Sequence, residues 1–242
     1  MKSDRIEIVS RGRRELLCRV GAGAALALAG GLGGTLAVAA QPTPACVVRP
    51  RQTEGPYFVD DRLKRADLRS DPTDGSVRPG VPLALTFRVS RVDGRGCVPL
   101  AGAVVDVWQC DALGVYSGVR DFAGRFDTRG RLFLRGYQLT DAAGVARFLT
   151  IYPGWYPGRT VHIHFKIRTA PAAPRGLEFT SQLYFDDAVS DRVLAQAPYA
   201  RNGLHRVRNE DDGIFRKGGD RLMLGLARDA QGYAGSFDLA LR

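Results

Sequence analysis

The sequence predicts an all-β protein, a β-sandwich of mostly antiparallel strands with long loops and an N-terminal arm. Three observations carry this. Glycine and proline number 29 and 13 among 242 residues, above their usual combined share of about 12%. The apolar stretches are short, rich in branched residues and separated by clusters of turn formers. Only the segment from Ser190 to Ala197 reads as a short helix, roughly two turns at about 3.6 residues each.

Taken in chain order, residues 1–39 read as an export signal. Six basic residues (Lys2, Arg5, Arg11, Arg13, Arg14, Arg19) precede an uncharged run from Val20 to Ala40, which ends in the small-x-small pattern Ala37-Val38-Ala39. Ser10-Arg11-Gly12-Arg13-Arg14-Glu15-Leu16-Leu17 has the form of a twin-arginine signal, which carries folded proteins out of the cytoplasm. Cleavage near Ala40 is expected. Six glycines between Gly21 and Gly34 make the run a poor permanent membrane anchor. A periplasmic or extracellular location follows.

Residues 40–79 form the arm, expected to be loose, and 80–242 the sandwich. Val81 to Val92 alternates in part between apolar and polar residues, and Ala103 to Trp108 is a branched apolar run; both read as strands. Leu132 to Leu139 and Val145 to Ile151 flank the turn Thr140–Gly144, while Leu222 to Ala227 and Tyr233 to Leu241 flank Arg228–Gly232. Each pair is expected to be a hairpin. Val161 to Ile167 and Phe179 to Phe185 complete the strand set.

The net charge of +10 raises the question of nucleic acid, but part of the excess belongs to the first nineteen residues and the rest is scattered. No Lys/Arg run with interleaved aromatics is present, so no nucleic-acid partner is expected. With Cys18 in the signal, Cys46, Cys97 and Cys110 remain for an oxidising compartment. Cys46 in the arm and Cys97 in a glycine-rich turn are expected to form a staple. Cys110, inside an apolar strand, is expected to be buried and inert.

Two of the three histidines stand as His162-Ile163-His164 in a strand. Residues i and i+2 of a strand share a face, so both imidazoles can reach one metal while Ile163, Phe165 and Ile167 pack on the other side. A half-exposed strand with His, His, Lys and Arg on its polar face would look the same. An unusually aromatic turn, Tyr152 to Arg159, runs into this strand, and Tyr116 lies where another strand gives way to a loop.

These segments resemble the intradiol ring-cleavage dioxygenases, the family of protocatechuate 3,4-dioxygenase and catechol 1,2-dioxygenase. The likeness rests on Trp-x5-Gly-x-Tyr (Trp108, Gly114, Tyr116), Pro-Gly-x-Tyr-Pro (Pro153 to Pro157) and Arg-x-x-His-x-His (Arg159, His162, His164). Thr53 to Phe58, Leu139 to Ile151 and Ser181 to Phe185 extend it in the same order. The resemblance implies a β-sandwich and one mononuclear non-haem Fe(III) held by Tyr116, Tyr156, His162 and His164. It implies O2-dependent opening of catechol-type aromatics to muconate-type dicarboxylic acids, with Arg159 stabilising charge on the ring and Tyr156 also acting on a proton. Gln182, Gly55, Pro56 and Tyr57 are implied as substrate-side residues, with Thr53 at the cavity mouth.

Two phenolates with two imidazoles suit Fe(III) better than Fe(II) or zinc, which agrees with the resemblance. Tyr156 stands only six residues before His162, without the insertion many relatives carry there, and an export signal replaces the helical N-terminal domain of the catechol 1,2-dioxygenases. That pattern fits the family's short secreted branch. The reading leaves room for a homo-oligomer. Two other readings are a non-catalytic binding module on the same scaffold, and an Fe(II) triad of His162, His164 and Glu54 or Glu178. Trp108 and Tyr152 read as core, and His205 as a surface histidine.

Overall fold

Two sheets face each other across an aromatic core. A computed structural model describes residues 46–94, 96–169, 176–203 and 206–242; the expected export signal and His205 lie outside the described residues. The strands are β1 (Pro82–Asp93), β2 (Gly96–Pro99), β3 (Val104–Trp108), β4 (Arg135–Leu139), β5 (Val145–Ile151), β6 (His162–Arg168), β7 (Glu178–Tyr184), β8 (Leu226–Arg228) and β9 (Tyr233–Leu241). One sheet has the order β4-β3-β6-β7. The other runs β2-β1-β9-β8, with β5 pairing the first part of β1. All pairings are antiparallel except β1 with β9. The expected sandwich is the observed architecture.

Alternation explains how the sheets meet. Phe87 and Phe237 on one sheet and Phe165 on the other are fully buried, with ring centroids 5.2 Å apart for Phe87–Phe165 and 5.7 Å for Phe165–Phe237. Val105, Val107, Ile163 and Ile167 fill the same layer. With the odd-numbered residues of β3 and β6 turned inward, the even-numbered ones occupy the opposite face. The arm covers that face. It is not loose: Gln52 N–H donates to the Thr180 carbonyl, Leu68 is fully buried in the core, and the Arg65 backbone bonds to Tyr137.

Several expectations need correction. The stretches ending at Leu139 and starting at Val145 are not a hairpin, because β4 pairs with β3 while β5 pairs with β1. The Asp141 turn, whose carboxylate accepts from the Ala143 and Val145 N–H groups, carries the chain from one sheet to the other. Turn chemistry is the same for both connections; which partner buries the apolar face decides. Strand β4 starts at Arg135 rather than Leu132, since Leu134 adopts a left-handed φ of 54°. The helix α1 is Asp187–Leu194, set earlier than expected by its cap: Asp186 accepts from the Val189 N–H at 3.0 Å. The hairpin into β9 is present, but its first strand is only Leu226–Arg228, after a single 3-10 turn at Gly219–Leu222. Strand β2 was not anticipated.

Cys46 and Cys97 are joined, and Cys110 is a buried free thiol. The bond closes a loop of sequence separation 51, for which loop-closure entropy gives about 4 kcal/mol of stabilisation. Reduction, or Cys97→Ser, is expected to lower the thermal midpoint by several degrees, and calorimetry with and without reductant measures it. Among the described residues no helix is long and apolar enough to cross a membrane.

Candidate active site

Register places the site. Trp108 on β3 lies opposite His164 on β6, and His164 lies opposite Gln182 on β7, so the three share one row across the covered face of the four-stranded sheet. Trp108 stacks on His164, with centroids 5.1 Å apart and planes 10° apart. Trp108 is thus buried, as expected, but it also fixes the plane of an imidazole. Tyr152 is core, its hydroxyl 2.7 Å from Ser190 Oγ.

Two loops deliver the tyrosines. Asp111 Oδ1 accepts from the Leu113 and Val115 N–H groups, tying a tight turn that ends at Tyr116. Gly154 N–H donates to the Asp111 carbonyl at 3.1 Å, and a Cβ on Gly154 would lie 2.5 Å from the Ala112 carbonyl oxygen. Gly114 has φ of 80°, and a Cβ there would lie 2.4 Å from the Trp155 carbonyl oxygen. The two sequence motifs therefore hold glycine where two backbones touch, and that contact brings Tyr116 and Tyr156 to the same place.

Four donor atoms converge there. Tyr156 Oη lies 3.1 Å and Tyr116 Oη 3.5 Å from His162 Nε2, and His164 Nε2 lies 3.0 Å from that same atom. His162 Nδ1 is 2.6 Å from the Thr160 carbonyl. A carbonyl can only accept, so Nδ1 carries the hydrogen and the neutral ring turns a bare lone pair toward the cluster. Burial, reinforced by the Arg159 charge, holds His162 well below the usual imidazole range; burial, with His162 and Arg159, does the same for His164. His164 Nδ1 has no hydrogen-bond partner among the described residues.

Both phenols resist ionisation in the protein alone, because burial raises the pKa of Tyr116 and of Tyr156 well above the ordinary value. Only a concentrated positive charge would make them phenolates. Two neutral imidazoles and two phenols with converging oxygens match the donor preferences of a hard trivalent ion such as Fe(III). Among the described residues no group of three His, Cys, Asp or Glu side chains gathers as a metal site. Glu54 and Glu178 both pair with Lys166 instead, Glu178 at 3.4 Å.

The substrate-side residues surround this cluster. Arg159 Nη1 lies 3.3 Å from His162 Nε2, and its Nη2 donates to Gln182 Oε1 at 2.6 Å. Gln182 is fully buried; its Nε2 donates to the Thr53 carbonyl of the arm at 2.9 Å. Gly55, with φ of 72°, passes so close to His164 that an added Cβ would sit 3.1 Å from the ring. Pro56 is exposed beside it. The Tyr57 ring lies 4.6 Å from that of Tyr116, and its hydroxyl donates to Asp121 at 2.6 Å. Burial and that carboxylate push Tyr57 up to about 12, so it remains a phenol. Arg125 Nη2 donates to the same Asp121 oxygen at 2.7 Å and its Nε to the other at 2.9 Å. A cavity of about 280 Å³ opens beside Tyr156, bounded by Leu113, Val115, Phe126, Trp155 and Asn202.

Sequence reasoning missed Asp121, Arg125, the Thr160 carbonyl and Asp212, which accepts from Arg159. Asx turns mark Asp111 and Asp141 in the sequence as well as they mark Asp121, so no pattern there separates site from scaffold.

Known proteins share both sequence and fold. A family model described as Dioxygenase matches residues 53–216. The protocatechuate 3,4-dioxygenase beta chain of Burkholderia cepacia is 31% identical over 80% of this chain and 79% of its own. A chlorocatechol 1,2-dioxygenase of Pseudomonas sp. (strain P51) is 31% identical over 55% of this chain and 54% of its own, so the chain spans about half of that relative. A solved structure of an intradiol ring-cleavage dioxygenase from Tetranychus urticae matches with a TM-score of 0.67 at 33% identity, covering 81% of this chain and 94% of that one. Sandwich and matches together define an oxidoreductase of the dioxygenase class. The chain belongs to the intradiol ring-cleavage dioxygenase family.

Proposed function

We propose that this chain is an Fe(III)-dependent intradiol dioxygenase that opens catechol-type aromatics with O2 to muconate-type dicarboxylic acids, and that it is exported by the twin-arginine route. The observation that carries the catalytic reading is the convergence of Tyr116 Oη, Tyr156 Oη and His164 Nε2 on His162 Nε2. These four residues would hold the iron, and Tyr57, Gly55 and Gln182 would line the substrate side. Bound ferric iron supplies an electron-withdrawing centre for the two oxygens of a catechol, which makes the ring reactive toward O2.

The protein's own groups divide the remaining work. Tyr116 is fully buried while Tyr156 is partly exposed, so Tyr156, once ionised beside bound iron, would be the more accessible phenolate to take a proton as a diol enters. Arg159, charged and half-buried beside the cluster, stabilises negative charge on the ring. Trp108 and the Thr160 carbonyl hold the imidazoles against rotation.

Iron-loaded protein is expected to be burgundy, from phenolate-to-iron charge transfer, and to consume one O2 per catechol opened. Oxygen-electrode traces with a catechol panel, followed by product identification, test this. A colourless protein that binds catechols without consuming O2 would favour a binding module, and extradiol products would contradict the reaction. Fractionation of cells carrying Arg13→Lys and Arg14→Lys together tests the export route; unchanged export would exclude it.

A further inference from the structure

We propose that Asp212 is a positioning residue for this site and acts through Arg159. The proposal rests on reading Arg159 as the group that meets substrate charge. Asp212 lies far along the chain from every motif residue, yet its carboxylate is completely buried against Arg159. Its Oδ2 accepts from Arg159 Nε at 2.9 Å and from the Thr160 N–H at 2.8 Å. Its Oδ1 accepts from the Ile214 N–H at 2.7 Å and the Phe215 N–H at 3.1 Å. Burial by itself would raise its pKa, but the Thr160 N–H, the Arg159 charge and the two turn N–H groups outweigh that and hold it below the usual carboxylate range.

The arrangement fixes a flexible side chain at three points. Nε is taken by Asp212, Nη2 by Gln182, and Nη1 is left facing His162 Nε2 at 3.3 Å. An arginine has many rotamers, and a guanidinium pays least entropy in the reaction when its plane is already set. Asp212 also carries the loop itself: its backbone N–H bonds to Arg208 and Asn209, and Asn209 Oδ1 accepts from Thr160 Oγ1 at 2.7 Å. Asparagine cannot substitute, because each carboxylate oxygen receives two N–H donors, and an amide nitrogen would face such a pair in either flip.

A turn-capping role alone would leave the same contacts at Thr160, Ile214 and Phe215, so the test must isolate the path through Arg159. Asp212→Asn is expected to lower kcat/KM for catechol by about 10- to 100-fold, by analogy with the loss of a side chain that orients a metal ligand. In an Arg159→Ala background the same substitution is expected to cost less than about 3-fold, since residues acting through one another are not additive. An equal loss in both backgrounds would overturn the proposal. A second readout needs neither iron nor turnover. In the iron-free wild-type protein the Arg159 Nε–H should give a separate, slowly exchanging nitrogen–proton resonance that vanishes in Asp212→Asn; rapid exchange with water in the wild type would overturn the proposal even where the variant fails to fold. If the wild-type protein consumes no O2 with any catechol, the functional reading fails, whereas the resonance still reports on the clamp.

Discussion

Tyr116→Phe is expected to abolish both the visible colour and the oxygen uptake of iron-loaded protein, a loss of at least about 100-fold, because on the proposed function it removes a direct ligand, which costs more than removing a side chain that only orients one. The substitution deletes one hydroxyl and nothing else. The ring keeps its contact with Tyr57 at a centroid distance of 4.6 Å, and the hydroxyl's contact with His162 is a long one at 3.5 Å. Thermal unfolding of the iron-free variant should therefore match that of the wild type within a few degrees, which separates loss of the site from loss of the fold. Retention of the colour would remove Tyr116 from the ligand set.

Phe165→Ala is expected to destabilise the protein by about 3–5 kcal/mol, the cost of a large cavity in a closely packed core. Phe165 is fully buried and touches Phe87 and Phe237 of the facing sheet, with Phe179 6.0 Å away on its own sheet. It also sits immediately after His164, on the opposite face of β6. A denaturant melt measures the stability loss. Iron content after purification is expected to fall with it, since the cavity lies under the strand that carries both imidazoles. A stability loss below about 1 kcal/mol would show that the sheets do not depend on this contact.

Much of the centre was legible because it rests on local periodicity and on turn chemistry. His162 and His164 share a face by strand geometry, and Gly114 and Gly154 stand in recognisable patterns beside the tyrosines. Their physical reason, two backbones in contact, needed the structure. Gln182 was ambiguous in sequence, since a strand glutamine can face water; its register opposite His164 and its bond to Arg159 remove that ambiguity. The connection at Asp141 was misread because a turn between two amphipathic strands has the same local signature whether they pair or part. Asp212 was invisible for a different reason: its importance arises from a contact 53 residues away in sequence, and one aspartate among many gives no warning of it.

Strand β9, the last in the chain, does not decorate an edge. It lies between β1 and β8 and runs parallel to β1 through nine paired positions from Leu83 to Arg91, while Ala240 N–H reaches the Val47 carbonyl at the head of the arm. The earliest and latest described parts of the polypeptide are thus neighbours. The larger sheet cannot close until Tyr233–Leu241 has left the ribosome, and a truncation before Tyr233 would remove an interior strand rather than an edge.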